Sequence, residues 1–150
     1  MSTDTIKVYD AEQMVVGRLG SKVAKAALLG DNIVIINAEK AIITGDPRTL
    51  IAAWKEKFNI RTSYKPWRGP FHHRRPDKMV RRMIRGMLPW PTPRGKDAYK
   101  RIKVYIGTPE KYTDAEKIVL EKSRYRSMTQ KHIKVLELSK ELGWTHPEVA

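Results

Sequence analysis

The sequence predicts an α/β domain in three layers, a mostly parallel central sheet flanked by helices and carrying basic extensions. Three observations lead there. Residues 33–36 are a continuous run of Ile and Val, the look of a strand buried on both faces, as in a sheet covered by helices. Strand and helix patterns alternate through the N-terminal half, an order that favours parallel strands joined by right-handed crossovers. The chain has 150 residues, enough for one domain that hides roughly 70% of its unfolded surface without a metal or crosslink.

The elements follow in order. IKVYD (6–10) reads as a short strand, and GRLGSKVAKAALLG after it as a helix over about 18–29 ended by Gly30. The run at 33–36 is the second strand. Asp46-Pro47 is a helix start, a capping side chain followed by proline at the first helical position, and Leu50, Ile51, Trp54 and Phe58 recur at helical spacing, so that stripe should pack inward. RIKVYIG (101–107) reads as a further strand. Near the C-terminus Val135, Leu138 and Leu142 form a helical stripe closed by Gly143, within a helical tail over 127–144.

Charge singles out the middle of the chain. Thirty Lys and Arg stand against sixteen Asp and Glu, a net charge of +14. Residues 61–103 hold fourteen of the cations and two acids, Asp77 and Asp97, leaving +12 in that stretch and +2 in all the rest. Cations so crowded repel one another unless a polyanion cancels them, and a surface kept only for solubility would intersperse the signs. There are no cysteines, which removes disulfides, thiolate metal sites and a cysteine nucleophile, and suits a reducing compartment. No apolar run reaches the roughly 18 residues of a membrane span, and the N-terminus lacks the basic and apolar regions of a secretory signal. A soluble intracellular protein is expected.

No catalytic or ligand motif is complete in the sequence. GRLGSK has neither the GxGxxG nor the GxxxxGK[ST] phosphate-loop spacing. It does fit the GxxG loop with which KH domains clamp a nucleic-acid backbone, but such a loop joins two helices, and residues 10–16 are too few for one. Here the glycines are read as a turn from strand into helix. His72 and His73 are adjacent, with His132 and His146 far away, which is no metal-ligand spacing; the adjacent pair is read as loop donors to phosphate. No serine sits in a nucleophile elbow and the carboxylates are scattered, so no catalytic residue, metal or cofactor is assigned and an enzyme is not expected.

Within the basic block, a helix is expected over 77–87, since Pro89 disfavours helical backbone at Leu88. On a wheel at about 100° per residue, Met79, Val80, Met83, Ile84, Met87 and Leu88 cover one half, while Lys78, Arg81, Arg82 and Arg85 fall on the other. One helix thus docks on the core and presents cations, with no acid after Asp77 to pair them. Arginine suits forked contacts to phosphate and stacking on bases. On either side lie SYKPWRGPFHHRRP and PWPTPRGK, read as stiff basic arms over 62–76 and 89–100 that order on a partner. Trp67 and Trp90 are each read two ways, stacking on bases or anchoring against the protein's own core.

One stretch carries a specific resemblance. Ile84-Arg85-Gly86-Met87-Leu88-Pro89, five residues, Gly95-Lys96, five more, and Ile102-Lys103-Val104-Tyr105-Ile106-Gly107 resemble the signature of the family of large-subunit ribosomal protein thirteen. VYDAEQMVVGRLGSKVAKAALLG, NIVIINAEKAIITG, HHRRPDKMVRRMIRGMLPW and TQKHIKVLELSKELGW resemble its archaeal and eukaryotic branch, in order, over nearly the whole chain. The resemblance implies an α/β structural constituent of the large ribosomal subunit, bound to large-subunit ribosomal RNA beside neighbouring ribosomal proteins, with no small-molecule substrate and no membrane. By matched position its RNA-facing blocks fall on 65–75, 81–85 and 94–103. The blocks and the charged helix face together give the candidate RNA-binding residues: Lys65, Trp67, Arg68, His72, His73, Arg74, Arg75, Lys78, Arg81, Arg82, Arg85, Arg94, Lys96, Lys100, Arg101 and Lys103. A regulatory RNA-binding protein would share the basic block, and a nucleic-acid-modifying enzyme would need a catalytic cluster that is not visible in the sequence.

Overall fold

The computed structural model describes residues 6–126 and 130–145; His146 and the start of the expected tail, 127–129, lie outside the described residues. In chain order the elements are β1 (Ile6–Asp10), α1 (Val16–Leu29), β2 (Asn32–Ile36), β3 (Ile42–Thr44), α2 (Pro47–Asn59), α3 (Pro76–Arg85), α4 (Pro93–Arg101), β4 (Ile102–Val104), β5 (Lys117–Ile118), β6 (His132–Lys134) and α5 (Val135–Glu141). The central sheet has the order β4-β2-β1-β5, and every pairing in it is parallel. β3 and β6 form a separate antiparallel pair.

The two-residue period of the strands sorts the core. Tyr9, Ile33, Ile35, Ile102 and Val104 cluster with Leu19 and Val23 of α1, Val80 and Ile84 of α3, and Ala98 of α4. Val8, Val34 and Ile36 face the other way and pack on Tyr112, which sits in a 3-10 turn. So the strand expected to be buried on both faces is, but α1, α3 and α4 gather on one face and a short turn with its flanking loop covers the other. A third cluster joins Met79 of α3, Ile133, Leu138 and Leu142, with the Leu50, Ile51, Trp54 and Phe58 stripe of α2 against it. That stripe packs inward as its spacing predicts, yet no residue of α2 is fully buried, because the helix covers an edge of the molecule.

α1 begins before the two glycines of GRLG, so they lie inside the helix and not in a turn leading to it. A Cβ at Gly20 would stand 2.9 Å from Met87 Sδ and 3.4 Å from Ile84 Cγ1, which locates the crossing with the α3 region. The turn into α1 is made instead by Gln13, at φ 57°, and by backbone bridges of Met14 to Arg124 and Val15 to Ile42. α3 ends at Arg85, short of the expected residue 87. Its backbone tightens into three-residue bonds there, Met87 N–H to Ile84 O and Leu88 N–H to Arg85 O, ahead of Pro89. Met87, on the apolar half of the wheel, is left 41% exposed.

The proline-rich stretch read as a stiff basic arm over 89–100 is helical from Pro93. Thr92 caps α4 by accepting the Gly95 N–H at 3.3 Å, with proline at the first helical position, the same device as Asp46-Pro47. Three prolines in a row of five residues hid that signal. Gly95 is where this helix closes against the preceding loop: a Cβ there would lie 2.1 Å from Pro89 O and 2.5 Å from its carbonyl carbon. Backbone cannot swing aside as Met87 can at Gly20. Gly95→Ala is therefore expected to destabilise by about 1–3 kcal/mol or more, and Gly20→Ala by less, checked by thermal unfolding of the two variants.

Two further differences are small. The strand expected over 101–107 is regular only over β4, and the C-terminal tail contributes β6 before α5. β6 is tied to the start of α2 by Lys131, whose Nζ is 2.8 Å from Asp46 Oδ1, while Asp46 Oδ2 accepts the Thr49 N–H at 3.4 Å. The Lys131 hydrogen bond and then the Thr49 N–H hold the Asp46 carboxyl below its ordinary value. A depressed carboxylate contributes stability above its unfolded pKa that is lost as pH falls through its folded pKa. Lys131→Met is expected to raise the Asp46 pKa toward the ordinary value and to shrink the acid-side loss of stability, measured by carboxyl NMR titration and melting against pH.

Candidate nucleic-acid interface

α3 divides its side chains as its amphipathic spacing requires. Met79, Val80 and Ile84 are buried, and Lys78 and Arg82 are exposed on the opposite side. Arg81, expected among the outward cations, is turned against the protein. Its Nη2 donates to Tyr99 O at 3.3 Å, its guanidinium lies 4.4 Å from the Tyr99 ring centre, and its Nε is buried without a hydrogen-bond partner among the described residues. Arg85 lies 3.7 Å over Trp90, and Trp90 meets Tyr99 edge-on at 5.1 Å. The result is a ladder of guanidinium, indole, phenol and guanidinium that ties α3 to α4. Trp90 is thus an internal anchor, while Arg85 remains half-exposed on its ring.

Arg101 is also turned inward. Its Nη1 donates to Ala27 O at 3.2 Å, in the last turn of α1, where it shares that carbonyl with the Gly30 N–H and a cation is favoured. Arg94, Lys96 and Lys100 of α4 are exposed, with Lys100 3.4 Å from Asp97. Lys103 points to the other face of the sheet from Ile102 and Val104. With Lys100 and Arg101 it borders a cleft of about 260 Å³ shared with Asn32 and Tyr112.

The segment between α2 and α3 is fixed at its base and open at its tip. Near the base, His72 meets Phe58 edge-on at 5.6 Å, the Arg74 guanidinium lies 5.3 Å from the same ring, and Ser139 Oγ donates to Arg74 O. Arg75 Nε is 3.0 Å from Asp77 Oδ1. At the tip, Pro66–Arg68 make one 3-10 turn, and Arg68 and Trp67 stand exposed, with Lys65 half-buried and its ammonium 5.0 Å from the Tyr64 ring. A cleft of about 290 Å³ between α2, this segment and α3 is bordered by Trp54, Lys57, Phe71, His72, His73, Met79, Arg82 and Met83. A second cleft is bordered by Arg82, Arg85, Gly86, Leu88, Trp90 and Pro91, so Arg82 links the two.

The structure therefore gathers His72, His73, Arg82 and Arg85 along one side of α3 and sets Lys100 and Lys103 apart on another. Lys57, 4.8 Å from the Trp54 ring, joins the first group although it precedes the charged block. Its signal was the helical spacing of α2, which places it beside Trp54 and ahead of Phe58. α1 carries a further set, Arg18, Lys22 and Lys25, exposed at helical spacing with no acid among them. Among the described residues no group of His, Asp or Glu could hold a metal ion, and no helix is long and apolar enough to cross a membrane.

Sheet, helices and charge together define a basic α/β protein that displays cations around an amphipathic helix and an aromatic-bearing loop. A sequence profile described as Ribosomal protein L13 matches residues 4–111, and the chain belongs to that family. It is 41% identical over 146 residues to the large ribosomal subunit protein uL13 of Archaeoglobus fulgidus, covering 94% of this chain and 90% of the relative. It is 44% identical to the protein of the same description from Methanopyrus kandleri, covering 93% and 88%. For the one from Methanocaldococcus jannaschii the figures are 45% identity, 91% and 96%.

Proposed function

We propose that this protein is a structural constituent of the large ribosomal subunit that binds and stabilises large-subunit ribosomal RNA in the cytoplasm, beside neighbouring ribosomal proteins. The observation that carries the reading is the block of +12 between residues 61 and 103, in a chain whose relatives are named as large-subunit proteins along almost their full length. Such a charge excess is matched by phosphate oxygens, which supply most of the affinity in protein–RNA contacts and release counterions on binding. Residues 1–150 act as one ribosomal-protein unit, with the segment 62–76 as its main extension. The RNA-contacting cations are Lys65, Arg68, Arg74, Arg75, Lys78, Arg82, Arg85, Arg94, Lys96, Lys100 and Lys103, helped by His72 and His73. Arg81 and Arg101 hold the helices that present them, since both donate to the protein's own carbonyls. The role calls for no catalysis, cofactor or small-molecule substrate.

The test is sedimentation of the endogenous protein on a sucrose gradient, with crosslinking in cells and sequencing of the attached RNA. Co-migration with large subunits and crosslinks to their RNA are expected. A protein found mainly free, or crosslinked mainly to messenger RNA, would overturn the reading in favour of a regulatory RNA-binding protein.

A further inference from the structure

Three aromatic rings in the segment between α2 and α3 are nearly bare. Tyr64 is 79% exposed, Trp67 69% and Phe71 72%, within eight residues. Exposed rings so close together are unusual on a protein surface unless something covers them. Here the surroundings say what. From residue 61 to residue 76 the chain has Arg61, Lys65, Arg68, Arg74 and Arg75 and no acid, so the covering surface carries negative charge. Phe71 is also part of a cleft of about 280 Å³ bordered by Ile60, Arg61, Pro66, Pro70, His72 and Arg74, so two arginines share its lining.

Building on the ribosomal-RNA reading, we propose that this segment captures unpaired RNA nucleotides, stacking their bases on Trp67 and Phe71 while Arg68 and Arg74 hold the flanking phosphates. Within a duplex each base is covered above and below by its neighbours, and the A-form major groove is too deep and narrow for side chains to read. A duplex therefore offers phosphates to the arginines but no ring face to the aromatics. A bulged or looped-out base offers both. The same rings would serve a neighbouring basic protein poorly, because its charges would meet five cations and no acid. The base of the segment, where Phe58 meets His72 and Arg74, flanks Phe71 with fixed residues, so less ordering entropy opposes stacking on that ring.

The experiment uses the full chain and two RNA probes, a duplex of about 20 base pairs and the same duplex with a bulge of about three adenosines carrying 2-aminopurine at its centre. The parent is expected to bind the bulged RNA about 5- to 150-fold more tightly than the duplex, quenching both the 2-aminopurine and tryptophan fluorescence. Trp67→Leu with Phe71→Leu keeps apolar bulk but removes both ring faces. It is expected to melt with the parent, to bind the bulged RNA no better than the duplex, and to leave 2-aminopurine unquenched. Trp67→Phe, which keeps a ring, is expected to retain the preference and Trp67→Leu alone to lose most of it, a contrast that survives should the double variant fold poorly. Equal binding of both probes by the parent, or retention of the bulge preference by Trp67→Leu/Phe71→Leu, would overturn this inference and leave the ribosomal reading standing. Failure of the parent to bind either RNA at low salt would overturn both.

Discussion

Raising the salt from about 50 to about 200 mM is expected to weaken binding of the free protein to duplex RNA by about 10³- to 10⁵-fold, if six to ten phosphates are neutralised as in protein–DNA contacts. The structure supports a number in that range. Of the fourteen cations between residues 61 and 103, Arg81 and Arg101 are hydrogen-bonded to the protein's own carbonyls, and Arg75 and Lys100 have acidic neighbours, which leaves ten. Surface pairs such as Lys100–Asp97 are weak and can open toward phosphate, so ten is not a ceiling. Fluorescence anisotropy at several salt concentrations gives the slope directly. Single-stranded probes should give a shallower one. A nearly flat response would mean that the basic block does not meet phosphate at all.

Ile84→Ala is expected to cost about 2–5 kcal/mol, lowering the melting temperature by roughly 4–20 °C for a chain of this size. Ile84 is fully buried in the cluster that joins α1, α3 and the sheet, so truncation leaves a cavity where three elements meet. Lys78→Gln with Arg82→Gln, on the exposed side of the same helix, should change stability by only about 0.5 kcal/mol each while weakening retention on RNA and in large subunits. Arg81→Gln behaves differently from its neighbours. It removes the bond to Tyr99 O and the contact with the Tyr99 ring, so it should melt early and lose RNA affinity only through the fold. Thermal unfolding and RNA retention measured side by side separate the three classes. An Ile84→Ala variant that melts with the parent would show that this face is not the packed one.

The sequence alone determined those features that are written in short-range periodicity or in a count. The apolar run of β2, the glycine that ends α1, the stripes of α2 and α5, the Asp46-Pro47 cap and the two-sided α3 all depend on residues within one or two helical turns of each other. The charge block is a matter of counting, and the family signature of ordered residues. Other features were decided by packing between segments far apart. β3 and β6 are three residues each and pair across some ninety positions, from Ile42↔Lys134 to Thr44↔His132, too short for either to announce itself. The wheel set Arg81 among the cations, because it scores side-chain type and angle and knows nothing of the Tyr99 carbonyl lying beside it. Arg101 went inward for the same reason, drawn to the Ala27 carbonyl at the end of α1, 74 residues away in the chain. Trp67 and Trp90 were equivalent in sequence, each in a proline-rich basic context. Tertiary structure separated them, because Trp90 found Arg85 and Tyr99 to pack against, while Trp67, at the tip of a segment held only at its base, found no such pair among the described residues.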